Sequence, residues 1–489
     1  MTSRLYPVSY AQERMWKIDA FLQDRLSTTA LNIPCILEVK GGLDIRVLNR
    51  SLQEIVTKHA SLRSVFTEKN NSLYQYILDD VVFNIYVEDF SNLDHITQKR
   101  KTNNIINQNI EYEFSKSQEI LFRTTMIKLG QQRYVLIFLF HHIISDEWSL
   151  KVFFNDLEKT YVKHLYQEKT LPSIDRSYLE FSEWQKKWFK ENKFKDQFHY
   201  WSNKLENVPN TIYFPTDNRD KGEVSSAGFY SYQFDQNLYD RLKDFSQKNN
   251  TTVFMIILAA YKTFIHIYSQ SNDILVATPI TNRHYKNVQN TIGCFVNLVL
   301  LRTSFDQTLT YSQLLQTVKE TSLEAHDNQD MPFNLLMDQL DKSDNFEKYF
   351  PQFVFELKTL NHYVPHLPHL KINEYGKKYE KNPKYENFQK LIVLEIEYCS
   401  DLFDENTVEI FMISLIKIVE QILDQPDSLV QKTLLDNLKN KREETIQKES
   451  QKYDSGEGGN TESSKNISLD LKAIQKLNKC IKLSVKELR

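Results

Sequence analysis

From Tyr134 to Phe140 the chain reads Tyr-Val-Leu-Ile-Phe-Leu-Phe, an unbroken run of β-branched, aliphatic and aromatic side chains. A strand wet on one face alternates polar with apolar residues, so this run predicts a strand buried on both faces. Helical periods accompany it. Asp44 is placed to cap a helix whose apolar face is Leu48, Leu52, Ile55 and Val56. Beyond the run, Leu150, Phe153, Phe154, Leu157 and Tyr161 mark one face of a second helix. Strand and helix periods alternate from the start, which argues for an α/β (α+β) class with packed sheets. At roughly 150 residues per domain, 489 residues make two or three domains.

Composition narrows the function classes. Hydrophobic residues are 41% and charged residues 26% of the chain, which excludes global disorder. Only 10 Gly and 12 Pro occur, and neither a G-x-G-x-x-G nor a Walker loop is found. A net charge of −3 gives no basic field to hold nucleic acid. Four scattered cysteines (Cys35, Cys294, Cys399, Cys480) without a Cys-x-x-Cys pair point to a reduced compartment and away from a thiolate metal site. The N-terminus has no signal-peptide core, and apolar runs such as 135–140 fall far short of the roughly 18 residues a spanning helix needs. The expectation is a cytoplasmic protein with no metal and no integral membrane segment.

Residues 164–177, with Pro172 and several charges, read as a connection between two halves. The second half predicts a helix over Val253–Tyr268, a strand over Asp273–Ala277 and another over Phe295–Arg302. From Asn440 to Ser464 the chain is polar and holds Gly456, Gly458 and Gly459, the composition of a flexible linker. Ile467, Leu471, Ile474, Ile481, Val485 and Leu488 then show helical spacing, opposite a face of Lys472, Lys476, Lys479, Lys482 and Lys486. The division expected is therefore residues 1–175, residues 176–440, and a tail over 441–489 ending in a short basic amphipathic helix.

The apolar run ends in His141-His142-Ile143-Ile144-Ser145-Asp146. Two histidines at the mouth of a buried strand are a poor choice for packing alone. An imidazole with a pKa near 6.5 accepts a proton from an attacking amine or alcohol near neutral pH. An aspartate four residues after the second histidine falls in the following turn, where it can brace the loop.

Neighbouring segments extend the pattern. From about Tyr6 to about Asn440 the chain resembles the condensation domains of nonribosomal peptide synthetases. The resemblance rests on Ser9-Tyr10-Ala11-Gln12-Glu13-Arg14-Met15-Trp16, on Lys58-His59-Ala60-Ser61-Leu62-Arg63-Ser64-Val65-Phe66 and on the His-His-x-x-x-Asp stretch. Tyr178 to Gln185 follows, with Glu180 where Asp is usual, then Ile292-Gly293-Cys294-Phe295-Val296-Asn297 with Leu301-Arg302. Asn328-Gln329-Asp330-Met331-Pro332-Phe333 carries Asn328 in place of a histidine, and Tyr398-Cys399-Ser400-Asp401-Leu402-Phe403-Asp404 closes the series.

The resemblance implies two chloramphenicol-acetyltransferase-like lobes arranged as a V-shaped pseudo-dimer, a monomer in solution. It implies acyl and amine substrates carried on the phosphopantetheine of partner carrier proteins, with no bound cofactor. His142 would act as base or orienting group in amide formation, with His141 structural within the catalytic motif. Asp146 would pair with Arg283 of the other lobe, from Ala277-Thr278-Pro279-Ile280-Thr281-Asn282-Arg283, and Asn297 would support its own motif. Two other readings stand beside it: an ester-forming acyltransferase using acyl-CoA and an alcohol, and a catalytically impaired carrier-binding module.

One position departs from the family where it touches chemistry. Glu147 stands where the motif normally has glycine. If the backbone there needs φ > 0, Glu costs about 1 kcal/mol or more; its carboxylate near His142 would favour the imidazolium. Alternatively Glu147 opens the following helix, where a carboxylate is favourable. His362, His366 and His369 cluster too, but Pro365 and Pro368 prevent a helix from presenting them together. A surface loop is expected there, and Cys294 is expected to be a core thiol.

Overall fold

The computed structural model describes residues 4–23, 28–167, 177–208, 212–217, 227–284, 288–306, 308–341, 351–360, 364–376, 391–430 and 481–488. The first half runs β1 (Tyr6–Pro7), α1 (Tyr10–Gln23), β2 (Asn32–Gly41), α2 (Ile45–Lys58), β3 (Ser64–Lys69), β4 (Ser72–Ile77), β5 (Tyr86–Asp89), α3 (His95–Ile110), β6 (Phe122–Gly130), β7 (Arg133–His141) and α4 (Glu147–Leu165). The second continues with α5 (Ser177–Lys190), α6 (Lys195–Lys204), β8 (Ala227–Gln233), α7 (Gln236–Lys248), α8 (Val253–Ser269), β9 (Asp273–Ile280), β10 (Asn297–Ser304), α9 (Tyr311–Asp327), α10 (Phe333–Leu340), β11 (Phe353–Leu360), β12 (Leu370–Glu374), β13 (Leu391–Cys399), α11 (Glu405–Asp424) and β14 (Ile481–Leu488).

The apolar run is β7, the centre of a five-stranded sheet ordered β12-β2-β7-β6-β5, with β2 and β6 antiparallel on either side. Both its faces are covered, as its sequence demanded. Leu136, Phe138 and Phe140 pack with Phe153, Phe154 and Leu157 of α4 and with Leu48, Leu52, Ile55 and Val56 of α2. Val135 and Ile137 face the other way, into a smaller cluster with Ile106 of α3 and Phe90. Asp44 caps α2 as expected, accepting from the backbone amides of Arg46 at 2.9 Å and Val47 at 3.1 Å.

A second core is built around α8, α11 and a six-stranded sheet ordered β10-β9-β11-β14-β13-β8. β9 and β10 form an antiparallel pair in register from Asp273↔Ser304 to Ile280↔Asn297. Their far ends carry Arg283 and the 288–296 loop toward the first half. That loop is shared: Ile292 and Cys294 are buried in the first core although they lie between two strands of the second sheet.

Two expectations about the second half and the tail are corrected. Residues 364–376, inside the span read as a second lobe, return to the first sheet, where β12 pairs antiparallel with β2 from Leu370↔Gly41 to Glu374↔Leu37. The end of the basic amphipathic helix is instead a strand: β14 lies in the middle of the second sheet, parallel to β11 and antiparallel to β13. Ile-Lys-Leu-Ser-Val-Lys alternates with period two as well as it fits a helical face, and two waiting strand edges decide between them. The rest of that helix, the 441–464 linker, His362 and most of the 164–177 connection lie outside the described residues. Among the described residues no single helix is long and apolar enough to cross a membrane.

α8 also buries a lysine completely. Lys262 donates to Thr303 Oγ1 at 2.7 Å, and burial, with a smaller contribution from Lys204, lowers its pKa from 10.5 to about 7. Between those values the unfolded chain holds a proton that the native chain does not, so this group's contribution to stability rises with pH across that window. Lys262→Met is expected to raise Tm at pH 7 and to flatten its rise from about pH 7 to about pH 9.5. Parallel thermal melts of both proteins at the two pH values check this; an equal slope in both refutes it.

Candidate active site

β7 delivers His141 at its last position and α4 begins at Glu147, so the five residues 142–146 form a tight strand-to-helix turn. Asp146 is the N-cap of α4, accepting from the Ser149 amide at 2.8 Å and from Ser149 Oγ at 2.7 Å. The capping carboxylate is also the centre of a buried charge pair. Arg283 Nη2 donates to both Asp146 oxygens at 2.9 and 3.2 Å, with both side chains almost fully buried.

The second half closes around that pair. Arg283 Nη1 donates to the carbonyls of Val288 at 2.9 Å and Thr291 at 2.6 Å, and Nη2 reaches the Gly293 carbonyl at 3.2 Å. The Phe295 amide donates to Asp146 Oδ2 at 3.0 Å, and its ring lies under the guanidinium, 4.0 Å from centroid to carbon. Ser149 Oγ bonds both the carbonyl and the amide of Gly293, at 2.9 and 3.0 Å. Trp148 Nε1 adds a bond to the Gln289 carbonyl at 2.7 Å. Glycine at 293 is steric: a Cβ there would sit 2.0 Å from the Tyr178 ring. Tyr178 in turn donates to the Cys294 carbonyl at 2.7 Å and meets Ser9 Oγ at 2.8 Å.

The two histidines diverge. His141 is buried; its Nδ1 accepts from the Ile143 amide at 3.1 Å, and its Nε2 faces Asp19 Oδ1 at 3.8 Å. Asp19 is itself paired with Lys116. Burial, helped by the Lys116 charge, pushes the His141 pKa down to about 3, so this ring is neutral at physiological pH.

His142 is half-buried. Its amide is held by the Leu31 carbonyl at 2.8 Å, and its Nδ1 lies 2.9 Å from the Ser145 carbonyl. A carbonyl oxygen only accepts, so Nδ1 carries the hydrogen and Nε2 carries the lone pair. Burial lowers its pKa below the ordinary histidine value; a backbone hydrogen bond and then Asp146 oppose, while Arg14 and His141 act in the same direction as burial. The neutral form therefore predominates at pH 7. Cys294 Sγ lies 3.9 Å from Nδ1, and burial first and Asp146 second push its pKa up to about 12. It is a core thiol, as its sequence context suggested.

Glu147 is exposed and is the first residue of α4, in helical backbone. The cost of a positive φ does not arise there. Asn297 opens β10 and clamps the 329–333 segment: its amide nitrogen donates to the carbonyls of Gln329 at 3.0 Å and Met331 at 2.8 Å, and its oxygen accepts from the Phe333 amide at 3.0 Å. Asn328 ends α9, its side chain donating to the Glu324 carbonyl at 2.9 Å.

The structure therefore joins Asp146 and Arg283 beside His142, sets His141 in the buried ground behind, engages Asn297 with the 329–333 segment rather than with that pair, and leaves Glu147 exposed at the start of α4. Sequence reasoning missed Ser149, Tyr178 and the Ser145 carbonyl as parts of the frame. It also missed Arg14, which is buried, donates to the Val296 carbonyl at 3.2 Å and lowers the His142 pKa. Arg14 and Tyr178 lie inside motifs whose spacing was visible, but a backbone carbonyl that fixes a tautomer leaves no mark in a sequence. His366 hangs on Glu158 through its amide, and His369 sits in a left-handed turn before β12, both away from this site. Among the described residues no cluster of three or more His, Cys, Asp or Glu is arranged to hold a metal.

Comparison with known proteins gives the geometry a context. A family model described as a condensation domain matches residues 2–443. Gramicidin S synthase 2 of Aneurinibacillus migulanus is 30% identical over 432 residues, covering 86% of this chain but 9% of that protein. The chain thus spans less than a tenth of that relative's length. Among solved structures, the X-domain from teicoplanin biosynthesis in complex with OxyB has a TM-score of 0.73 at 19% identity, covering 88% of this chain and 96% of that one. The first condensation domain of the calcium-dependent antibiotic synthetase, in complex with a substrate analogue, has a TM-score of 0.68 at 14% identity, covering 88% and 100%.

Removing one member of the buried pair leaves the other charge uncompensated, a loss of about 3–5 kcal/mol. Asp146→Ala is expected to lower the urea-unfolding free energy by about that amount, and Asp146→Leu/Arg283→Met by less than the sum of its two single changes. Additive losses in that cycle would contradict the coupling.

Proposed function

Because the chain belongs to the condensation-domain family, we propose that it is an acyltransferase joining a carrier-tethered acyl thioester to an amine. The amine nitrogen attacks the thioester carbonyl, the C–S bond breaks, and the amine's proton ends on the departing thiol. His142 is the group that handles that proton. The observation carrying this reading is the Nδ1–H···O=C bond to Ser145, which leaves Nε2 as acceptor on a ring kept neutral by burial. The donor and acceptor arrive as phosphopantetheine thioesters on separate carriers, on either side of the junction that Asp146 and Arg283 hold together. His141 positions the turn and does not touch substrate, since its Nδ1 is engaged and its Nε2 faces Asp19.

A second reading is a partner-binding module. Asn328 and Glu147 both depart from the family's motifs, and a fold neighbour of this chain is an X-domain in complex with OxyB. The two readings separate on one experiment. Purified protein given an acyl-loaded carrier and an amine is expected to yield amide, and His142→Ala to reduce the rate to background. The acyl-transfer rate should hold as pH falls to about 6.5 and drop only below it, because the base is active when neutral and its pKa is lowered. Equal background product from wild type and His142→Ala, with carrier binding intact, would establish the binding module instead. Faster turnover of acyl-CoA with an alcohol would establish the ester-forming alternative.

Glu147→Gly tests the departure directly. Since Glu147 is exposed and helical, the glycine variant is expected to keep kcat within about twofold and to lose about 0.5–1 kcal/mol of stability. A large rise in kcat would mean that the carboxylate suppresses the base.

A further inference from the structure

The position of β14 does not follow from chain order. The family match ends at residue 443, yet residues 481–488 occupy the interior of the second sheet. β14 pairs along its whole length with two strands, parallel to β11 from Phe353↔Ile481 to Leu360↔Leu488 and antiparallel to β13 from Tyr398↔Ile481 to Leu391↔Leu488. β11 meets β9 in a single register pair, Val354↔Ala277. Taking β14 away would divide the sheet into β10-β9-β11 and β13-β8, with an unpaired ladder on each facing strand. Exposed ladders of that kind are templates for another strand.

We propose that the groove between β11 and β13 is a strand-acceptor site, filled by the chain's own C-terminal segment and able to take the same segment as a separate peptide. The groove reads that segment by side chain as well as by backbone. Leu483 and Val485 are fully buried in the second core. On the other face Lys482 Nζ lies 3.0 Å from Glu356 Oε1 and 3.7 Å from Glu397 Oε2, and Ser484 Oγ donates to Glu356 Oε1 at 2.8 Å. Glu356 stands on β11 and Glu397 on β13, so the lysine bridges the two walls. A strand shifted by one residue would present Lys482 to the core and Leu483 to the carboxylates, so the register is specified. The cost of closing the long connection grows only slowly with its length, which lets a distant segment serve as a central strand. The reading is independent of catalysis, because no residue of the groove belongs to the His142 site.

The test uses the full chain carrying Leu483→Asp/Val485→Asp and a labelled peptide of residues 481–489. The variant is expected to melt below wild type, to bind the peptide about tenfold or more tightly than wild type does, and to regain Tm as peptide is added. In wild type the tethered strand competes at high effective concentration, which accounts for the weaker binding. A peptide carrying Lys482→Glu should bind the variant more weakly. A variant with wild-type Tm and no peptide binding overturns the proposal, as does a destabilised variant that the peptide neither binds nor rescues. If the variant does not accumulate as folded protein, coexpression with the peptide decides: recovery of folded protein supports the site, and no recovery overturns it.

Discussion

The pairing of Asp146 with Arg283 is the constraint on which the arrangement of the two halves depends. Two charges withdrawn from water are costly, and their mutual attraction offsets that cost only when the remaining hydrogen-bonding capacity is also met. Here it largely is. Asp146 accepts from Ser149, Phe295 and Arg283, and Arg283 donates onward to the carbonyls of Val288, Thr291 and Gly293. The acid belongs to the β7–α4 turn and the base to the loop after β9, so satisfying both charges fixes the relative placement of the two sheets' ends. Few alternative placements could satisfy so many directional bonds at once. The pair therefore specifies an arrangement more than it adds net stability.

The same burial sets the protonation of the imidazoles. His141 is emptied of charge because it is shut away beside Lys116. His142 is neutral because burial desolvates it, with Arg14 adding a smaller push in the same direction. A neutral His142 whose Nδ1 proton is committed to a backbone carbonyl has one free lone pair, and its direction is fixed by the turn. The turn is fixed by the cap of α4, and the cap is one partner of the buried ion pair. The placement of the turn that holds His142 and the contact between the two halves thus both run through a single carboxylate.

Much of this was legible in the sequence because it is written in patterns of type and spacing. The polarity of 134–140 announces a strand covered twice, and Asp44 announces its helix. His142, Asp146 and Arg283 are found through their motifs, although nothing in the linear order joins residue 146 to residue 283. What stayed hidden falls into two kinds. Interactions made by backbone atoms, such as the Ser145 and Gly293 carbonyls, are available to any residue and so select none. The C-terminal strand was hidden differently: Ile481, Val485 and Leu488 fit a helix face while Ile481, Leu483 and Val485 fit a strand, and the choice is made by β11 and β13, far away in sequence.

The scarcity of glycine bears on the site at two positions, and the two behave oppositely. At 293 the backbone passes so close to Tyr178 that any side chain would collide with the ring, and glycine is kept. At 147 the backbone opens α4 at a solvent-exposed position of an otherwise buried helix, where Glu is conformationally ordinary and its charge complements the amides of the first turn. A chain biased against glycine can therefore lose it at 147 and not at 293. The physical requirement thus differs between the two positions: a close approach to Tyr178 at 293, and an ordinary helical backbone at 147.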